Sequence, residues 1–307
     1  MSLTHCCIQR FFQFCIPLLL CMELNYIRMN FEITRKEDLN ASDYLIEVRA
    51  PLVAERFRAG NFVILLTHPK GERIPMSIQK ARDGKITMFV KRMGKTSTEL
   101  SKFKVGDCLE AVIGPMGNPP ELKRYGNVIF ASDLVCGHAE NYAMCEALSK
   151  IDGNHVISIQ TFQTKDDIYP EDELCSSVSD EYYITTEDGS HGIKGHYTGV
   201  VRRLLEDKKI DIVFAGGDIA RLHELARLTK QYNVPTIVTL RQIMVDATGM
   251  CGACRVFIDG KMKLTCIDGP MFDAHKVNFE DIMRRLTMFK EKEEEAMKYY
   301  DSKRYVE

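Results

Sequence analysis

Between residues 246 and 266 the chain reads Asp246-Ala-Thr-Gly-Met-Cys251-Gly-Ala-Cys254, and after eleven intervening residues comes Cys266. A stretch this dense in glycine and cysteine fits no regular helix or strand, so it must be a loop held by metal or by thiol chemistry. Two thiolates three residues apart on a turn can reach one metal ion, and a third on a neighbouring hairpin strand can close the site. The layout Asp246-x4-Cys251-x2-Cys254-x11-Cys266 is the plant-type 2Fe-2S spacing with Asp in the first ligand position. A carboxylate oxygen can ligate iron, and a harder ligand moves the reduction potential away from that of an all-thiolate cluster. Gly249 and Gly252 let backbone N–H groups approach the sulfurs. A structural zinc site and a set of free, redox-active thiols are the competing readings. Zinc more often takes paired Cys-x2-Cys or His partners, and the nearest histidine, His275, reads as a surface or core residue.

The other cysteines bear on the compartment. Eleven in 307 residues, four of them within the first 21 (Cys6, Cys7, Cys15, Cys21), form no even ladder of spacings. That argues against a secreted disulfide framework and for a reducing, cytoplasmic setting. With 41 Lys and Arg against 43 Asp and Glu, nothing asks for nucleic acid or an anionic membrane as partner. The apolar run 11–22 is too short to span a bilayer and no small-x-small cleavage site follows it. Residues 1–28 therefore read as an extension ahead of organised sequence from Met29, with a targeting or anchoring segment and a packed local helix as the competing readings.

From Phe31 to about Ile113, short strands alternate with turn signals: Tyr44–Val48, Asn61–Leu66, Lys85–Lys91 and Cys108–Ile113, bounded by Gly60, Gly71, Asp83-Gly84 and Gly106-Asp107. This pattern predicts a small antiparallel barrel over 29–120, closed off by Gly114-Pro-Met-Gly-Asn-Pro-Pro120. Over 121–243 strands and helices alternate: Val128–Phe130, a helix Asn141–Lys150, Val156–Gln160, Tyr182–Thr185, a helix Gly199–Asp207, Ile210–Phe214, a helix Ile219–Tyr232 and Thr236–Leu240. Such alternation predicts a doubly wound parallel sheet. Residues 244–307 hold the cysteine segment and a helical tail from Phe279, whose run Lys290–Glu295 reads as a solvent-facing surface.

Taken together, Asp246-Ala-Thr-Gly-Met-Cys-Gly-Ala-Cys-Arg-Val256 and Cys266-Ile-Asp-Gly-Pro-Met-Phe-Asp-Ala-His275 closely resemble the cluster segment of a known family. It is the small flavin subunit of NADH-dependent ferredoxin:NADP oxidoreductase, also called the sulfide dehydrogenase β subunit. That family is a sister of the dihydroorotate dehydrogenase electron-transfer subunit within the ferredoxin reductase-like superfamily. The resemblance spans roughly residues 29–290. It implies a 2Fe-2S cluster on Asp246, Cys251, Cys254 and Cys266.

The barrel carries two further matches. Arg73-Ile-Pro75-Met76-Ser77 resembles the family's flavin segment, in which a cation meets the FAD diphosphate, a fixed turn presents backbone to the ring and a hydroxyl reaches the N5 region. Gly94-Lys-Thr96-Ser97-Thr98 resembles the segment whose amides and hydroxyls bind the diphosphate at a helix N-terminus. The resemblance further implies a heterodimer with a larger, glutamate synthase small-subunit-like flavoprotein, with ferredoxin served indirectly. A dihydroorotate dehydrogenase-type electron-transfer subunit, or a non-catalytic subunit that has lost NAD, are the alternatives.

The glycine turn departs from that pattern. Where the family has Gly-Gly-Gly-Val-Gly-x-Ala-Pro, this chain has Ser132-Asp133-Leu-Val-Cys-Gly137-His-Ala-Glu140, which puts two acids where dinucleotide phosphates would lie. Gly137, with Gly216 and Gly217 of the later turn Ala215-Gly-Gly-Asp218, are the residues left to approach NAD(H). Thr185-Thr-Glu-Asp-Gly-Ser190 and Gly195-His-Tyr-Thr198 keep the family's pattern.

Overall fold

The structure is a computed structural model that describes residues 30–303; the run 11–22 and the expected start at Met29 lie outside the described residues. Alternating β-branched and aromatic residues build the first sheet: β1 (Phe31–Asp38), β2 (Asp43–Arg49), β3 (Phe62–Leu66), β4 (Ile74–Arg82), β5 (Lys85–Lys91), β6 (Cys108–Leu109) and β7 (Ala111–Met116). They pair antiparallel in the order β6-β1-β2-β5-β4-β3-β7, a nearly closed barrel. One face of each strand fills it, with Ile33, Tyr44, Ile46, Val48, Val63, Ile86 and Met88 fully buried. The pleat turns the intervening Leu45 and Phe89 outward, where they pack on Ala139, Phe162, Tyr169 and Leu174 of the following layers. Two short helices, α1 (Pro51–Arg56) and α2 (Lys95–Leu100), interrupt the strands.

The second sheet comprises β8 (Asn127–Ser132), β9 (His155–Phe162), β10 (Glu181–Thr186), β11 (Ile193–Lys194), β12 (Ile212–Gly216) and β13 (Thr236–Thr239). These strands run parallel in the order β11-β10-β9-β8-β12-β13. The helices α3 (Leu134–Ser149), α4 (Tyr197–Asp207) and α5 (Ile219–Gln231) connect them. The near-continuous apolar strands, such as Val128, Ile129, Phe130 and Ala131, all fully buried, are what a sheet covered on both faces requires. β8 is flanked by β9 on one side and β12 on the other, so the chain reverses its winding there. The crevice beyond the ends of β8 and β12 is where open α/β sheets bind ligands.

The cysteine segment contributes a hairpin, β14 (Arg255–Ile258) with β15 (Lys261–Leu264), and then β16 (Met271–Asp273), which pairs antiparallel with β13 and extends the second sheet. Several local expectations need correction. The Cys108–Ile113 strand is two strands, and β7 continues through Gly114 and Pro115 to Met116, so the barrel reaches further than the glycine–proline signal suggested. α3 starts at Leu134, seven residues before Asn141, because the turn that holds the altered glycines is itself the helix start. The tail is two helices, α6 (Phe279–Leu286) and α7 (Lys290–Lys303). Its charged run 290–295 is exposed throughout, as expected, and Lys290, Glu293 and Glu294 also border a cavity.

Candidate functional site

The cysteine loop is shaped by backbone that few side chains tolerate. Gly249 and Gly252 adopt φ of +85° and +66°, and a Cβ on Gly249 would come within 2.3 Å of Ile267 Cδ1. The first residue of the expected ligand set, Asp246, accepts hydrogen bonds from Thr248 N and Cys251 N, both at 2.9 Å, which hold its carboxyl below the usual range. At the other end, the free thiols Cys254 and Cys266 are buried with their sulfurs 3.3 Å apart. Burial and the neighbouring thiol push Cys266 up to about 12. The four residues thus fall into two pairs, Asp246 with Cys251 along the loop and Cys254 with Cys266 across to the hairpin. Among the described residues, no three His, Cys, Asp or Glu side chains converge as a metal site. The donor chemistry nevertheless fits an iron–sulfur cluster: two buried thiols, Cys254 Sγ donating to Cys266 Sγ, are close enough to turn both sulfurs to one metal, and the other pair brings a carboxylate and an exposed thiol. His275 is engaged elsewhere, with Nε2 3.0 Å from Thr229 Oγ1.

Beside this loop lies a cavity of about 840 Å³. Its walls come from β4 (Pro75, Met76, Ser77), the start of α2 (Gly94, Thr96, Ser97), the start of α3 (Val135, Cys136, Glu140), the segment after β13 (Arg241, Gln242) and α7. Six of the eight residues expected to hold flavin line it; Arg73 and Thr98 do not. Thr96 donates a 2.6 Å hydrogen bond to Glu72, and Ser97 Oγ accepts from Met93 N and Gly94 N, so Ser97 shapes the turn. A Cβ on Gly94 would meet nothing within 4 Å, which leaves open space above the helix start. Sequence reasoning missed Lys91, Lys95 and Arg241, which bring positive charge to this wall, and Gln242, whose buried carboxamide has neither donor nor acceptor satisfied. Lys95 sat inside a motif already singled out. Arg241 and Gln242 carried no local signal. A flavin dinucleotide fits these walls: apolar faces for a ring, cations for a diphosphate and orphaned polar atoms for a ring edge.

At the strand switch point the structure shows what replaced the glycines. Asp133 is buried, with Oδ1 accepting from Asp218 N at 2.7 Å and Oδ2 2.9 Å from His196 Nε2. Leu134 takes φ of +55°, the left-handed conformation a glycine would supply. Gly137 packs so tightly on β12 that a Cβ would lie 2.2 Å from Gly216 O, and one on Gly217 would lie 1.6 Å from Asp133 Oδ1. Gly137 and Gly216 therefore serve close helix–strand packing, and only Gly217 reaches the cavity wall. Burial pushes Glu140, also on that wall, up to about 8.

A flavin-sized cavity between a nearly closed antiparallel barrel and a doubly wound sheet defines the ferredoxin reductase-like class. Comparison with known proteins agrees. The chain is 38% identical over 264 residues to a dihydroorotate dehydrogenase B (NAD(+)) electron transfer subunit homologue of Thermotoga maritima, covering 85% of this chain and 92% of that one. It is 30% identical over 245 residues to the dihydroorotate dehydrogenase B electron transfer subunit of Bacillus caldolyticus, covering 76% and 92% of the two chains. Residues 241–278 match the iron–sulfur cluster binding domain of dihydroorotate dehydrogenase B. Among solved structures, that of an NADH-dependent reduced ferredoxin-NADP oxidoreductase superposes with a TM-score of 0.82 at 35% identity, covering 88% of this chain and 98% of that one. Phthalate dioxygenase reductase, at 16% identity and a TM-score of 0.53, shares the fold. The chain belongs to the family of dihydroorotate dehydrogenase B-type electron-transfer subunits, and it is an electron-transfer subunit of an oxidoreductase.

Proposed function

We propose that this chain binds FAD in the 840 Å³ cavity and a 2Fe-2S cluster on Asp246, Cys251, Cys254 and Cys266, and relays electrons between NAD(H) and a larger catalytic partner. The observation that carries this reading is contiguity. Phe62 and Met244 line the cavity and also belong to or pack on the buried cluster that contains Cys254 and Cys266, so the two cofactor positions adjoin. The flavin supplies the exchange between two-electron and one-electron chemistry. The protein's part is to hold the ring and shield it: Pro75, Met76 and Ser77 form one wall, the cations Lys95 and Arg241 answer the diphosphate, and α7 lies along the cavity. Arg285, buried on α6, donates to Ala253 O at 2.8 Å and so fixes the loop between Cys251 and Cys254.

The partner we propose is a glutamate synthase small-subunit-like flavoprotein, with ferredoxin served through it. Exposed Val245, Met250, Met262 and Ile267 form an apolar surface around the cysteine loop, which suits docking of such a subunit. Among the described residues, no helix is long and apolar enough to cross a membrane. For NAD(H), the glycine turn fits poorly, since the Asp133 carboxylate already takes the Asp218 amide that a phosphate would seek.

The test is anaerobic purification with flavin, iron and sulfide quantitation, then ultraviolet–visible spectra under titration. Flavin and cluster bands that bleach with dithionite, and slowly with NADH, are the expected result. Protein that takes up neither flavin nor iron under reconstitution overturns the reading.

A further inference from the structure

We propose that Gln242 is a positioning residue for the flavin, its carboxamide reading the imide edge of the isoalloxazine with one donated and one accepted hydrogen bond. This rests on the flavin reading of the cavity given above. Gln242 is 4% exposed, it lines the cavity, and neither Nε2 nor Oε1 has a hydrogen-bond partner. A buried carboxamide with both ends unsatisfied destabilises the protein that carries it, unless a ligand completes it. The backbone leading to it is fixed. Leu240 N donates to Pro270 O at 2.9 Å, and the alternation of buried Leu240, exposed Arg241 and buried Gln242 turns the carboxamide inward.

A glutamine side chain presents a donor and an acceptor side by side, so its complement is a ring edge that offers an acceptor beside a donor. The flavin imide has this arrangement at its carbonyl and N3–H, and so does the edge of adenine at the other end of FAD. Position separates the two. Met244, two residues further along, packs against the buried cluster that holds Cys254, Cys266 and Phe62, which places Gln242 at the cluster end of the cavity. Electrons pass between the cluster and the redox-active ring, so the ring and not the adenine belongs at that end.

The experiment measures dissociation constants of the cluster-loaded full chain, freed of flavin, for FAD, for FAD methylated at the flavin N3, and for FAD methylated at the adenine N6. Wild-type protein is expected to bind the N3-methyl analogue about tenfold or more weakly than FAD and the N6-methyl analogue about equally. Gln242→Leu should weaken FAD binding about tenfold and bring the ratio of N3-methyl analogue to FAD close to one. A residue that acts only through the fold would weaken all three ligands together and leave that ratio unchanged, which overturns the proposal. Equal wild-type affinity for FAD and its N3-methyl analogue overturns it too, even where the variant fails to fold. Sensitivity to the N6-methyl group, lost in Gln242→Leu, reassigns Gln242 to adenine and overturns it equally. A wild-type chain that binds no flavin at all defeats the underlying reading of the cavity, a result distinct from the other three.

Discussion

The cysteine loop and the glycine turn of α3 are both built on left-handed backbone beside the same cavity, yet they treat the family pattern in opposite ways. The loop keeps all four residues of the proposed ligand set, Asp246, Cys251, Cys254 and Cys266, and keeps glycine at the strained positions 249 and 252. The turn keeps its shape and changes its residues, so that Leu134 occupies φ of +55° and Asp133 fills the space against Gly217. A left-handed bulky residue costs about 1–2 kcal/mol. The Asp133 hydrogen bonds to Asp218 N and His196 offset that strain. The difference teaches which requirement is chemical. A thiolate on iron has no substitute of the same softness, whereas a turn can be rebuilt around an internal carboxylate once the tight approach of an external phosphate matters less.

The largest expected effect lies on the loop side. Cys254→Ala removes one of the two apposed thiols and is expected to abolish cluster absorbance and bound iron while leaving flavin in place; a cluster that survives would sink the ligand assignment. On the turn side, Asp133→Gly with Leu134→Gly frees the Asp218 amide and removes a buried charge. Stopped-flow reduction of the flavin by NADH should accelerate by about tenfold or more. An unchanged rate would show that the turn does not limit dinucleotide access, and the contrast drawn above would fail. A smaller effect returns to the loop: Asp246→Cys should retain the cluster with a shifted potential in an EPR-monitored redox titration, because a thiolate replaces a harder ligand. An unshifted potential would remove Asp246 from the ligand set.

How far these regions could be read in advance follows from the range of the forces involved. The cysteine segment was legible as a cluster-binding one because its candidate donors are close in sequence and chemically restricted, and the α/β rhythm because helix and strand periods are local. β4 was read only as a flavin segment and not as a strand, since Pro75 interrupts its alternation. The helix start at Leu134 was hidden because its turn residues are atypical, although the two acids were placed correctly beside the switch point. Lys91, Arg241 and Gln242 meet only through the packing of the barrel against the second sheet, and no stretch of sequence records that meeting. The split of the tail into α6 and α7, and the return of Lys290, Glu293 and Glu294 to the cavity, are tertiary in the same sense.

Glu140 gives the finest test of the contrast, because it decides how much negative charge the turn side carries. The side chain is buried, its Oε2 would lie 2.7 Å from a Cβ on Gly216, and burial pushes its carboxyl from 4.5 up to about 8. An acid with a raised folded value keeps its proton where the unfolded chain has already released one. Its unfavourable contribution to stability therefore grows as pH rises from about 4.5 and levels off above about 8, reaching on the order of 5 kcal/mol. Glu140→Gln removes this linkage while keeping the shape. The variant should melt close to wild type at pH 5 and several degrees higher at pH 8, as followed by calorimetry. Equal shifts at the two pH values would mean that Glu140 is ionised in the folded protein. Two buried carboxylates, rather than Asp133 alone, would then stand against the dinucleotide phosphates, and the Asp133→Gly with Leu134→Gly variant should recover only part of the NADH rate unless Glu140→Gln is added.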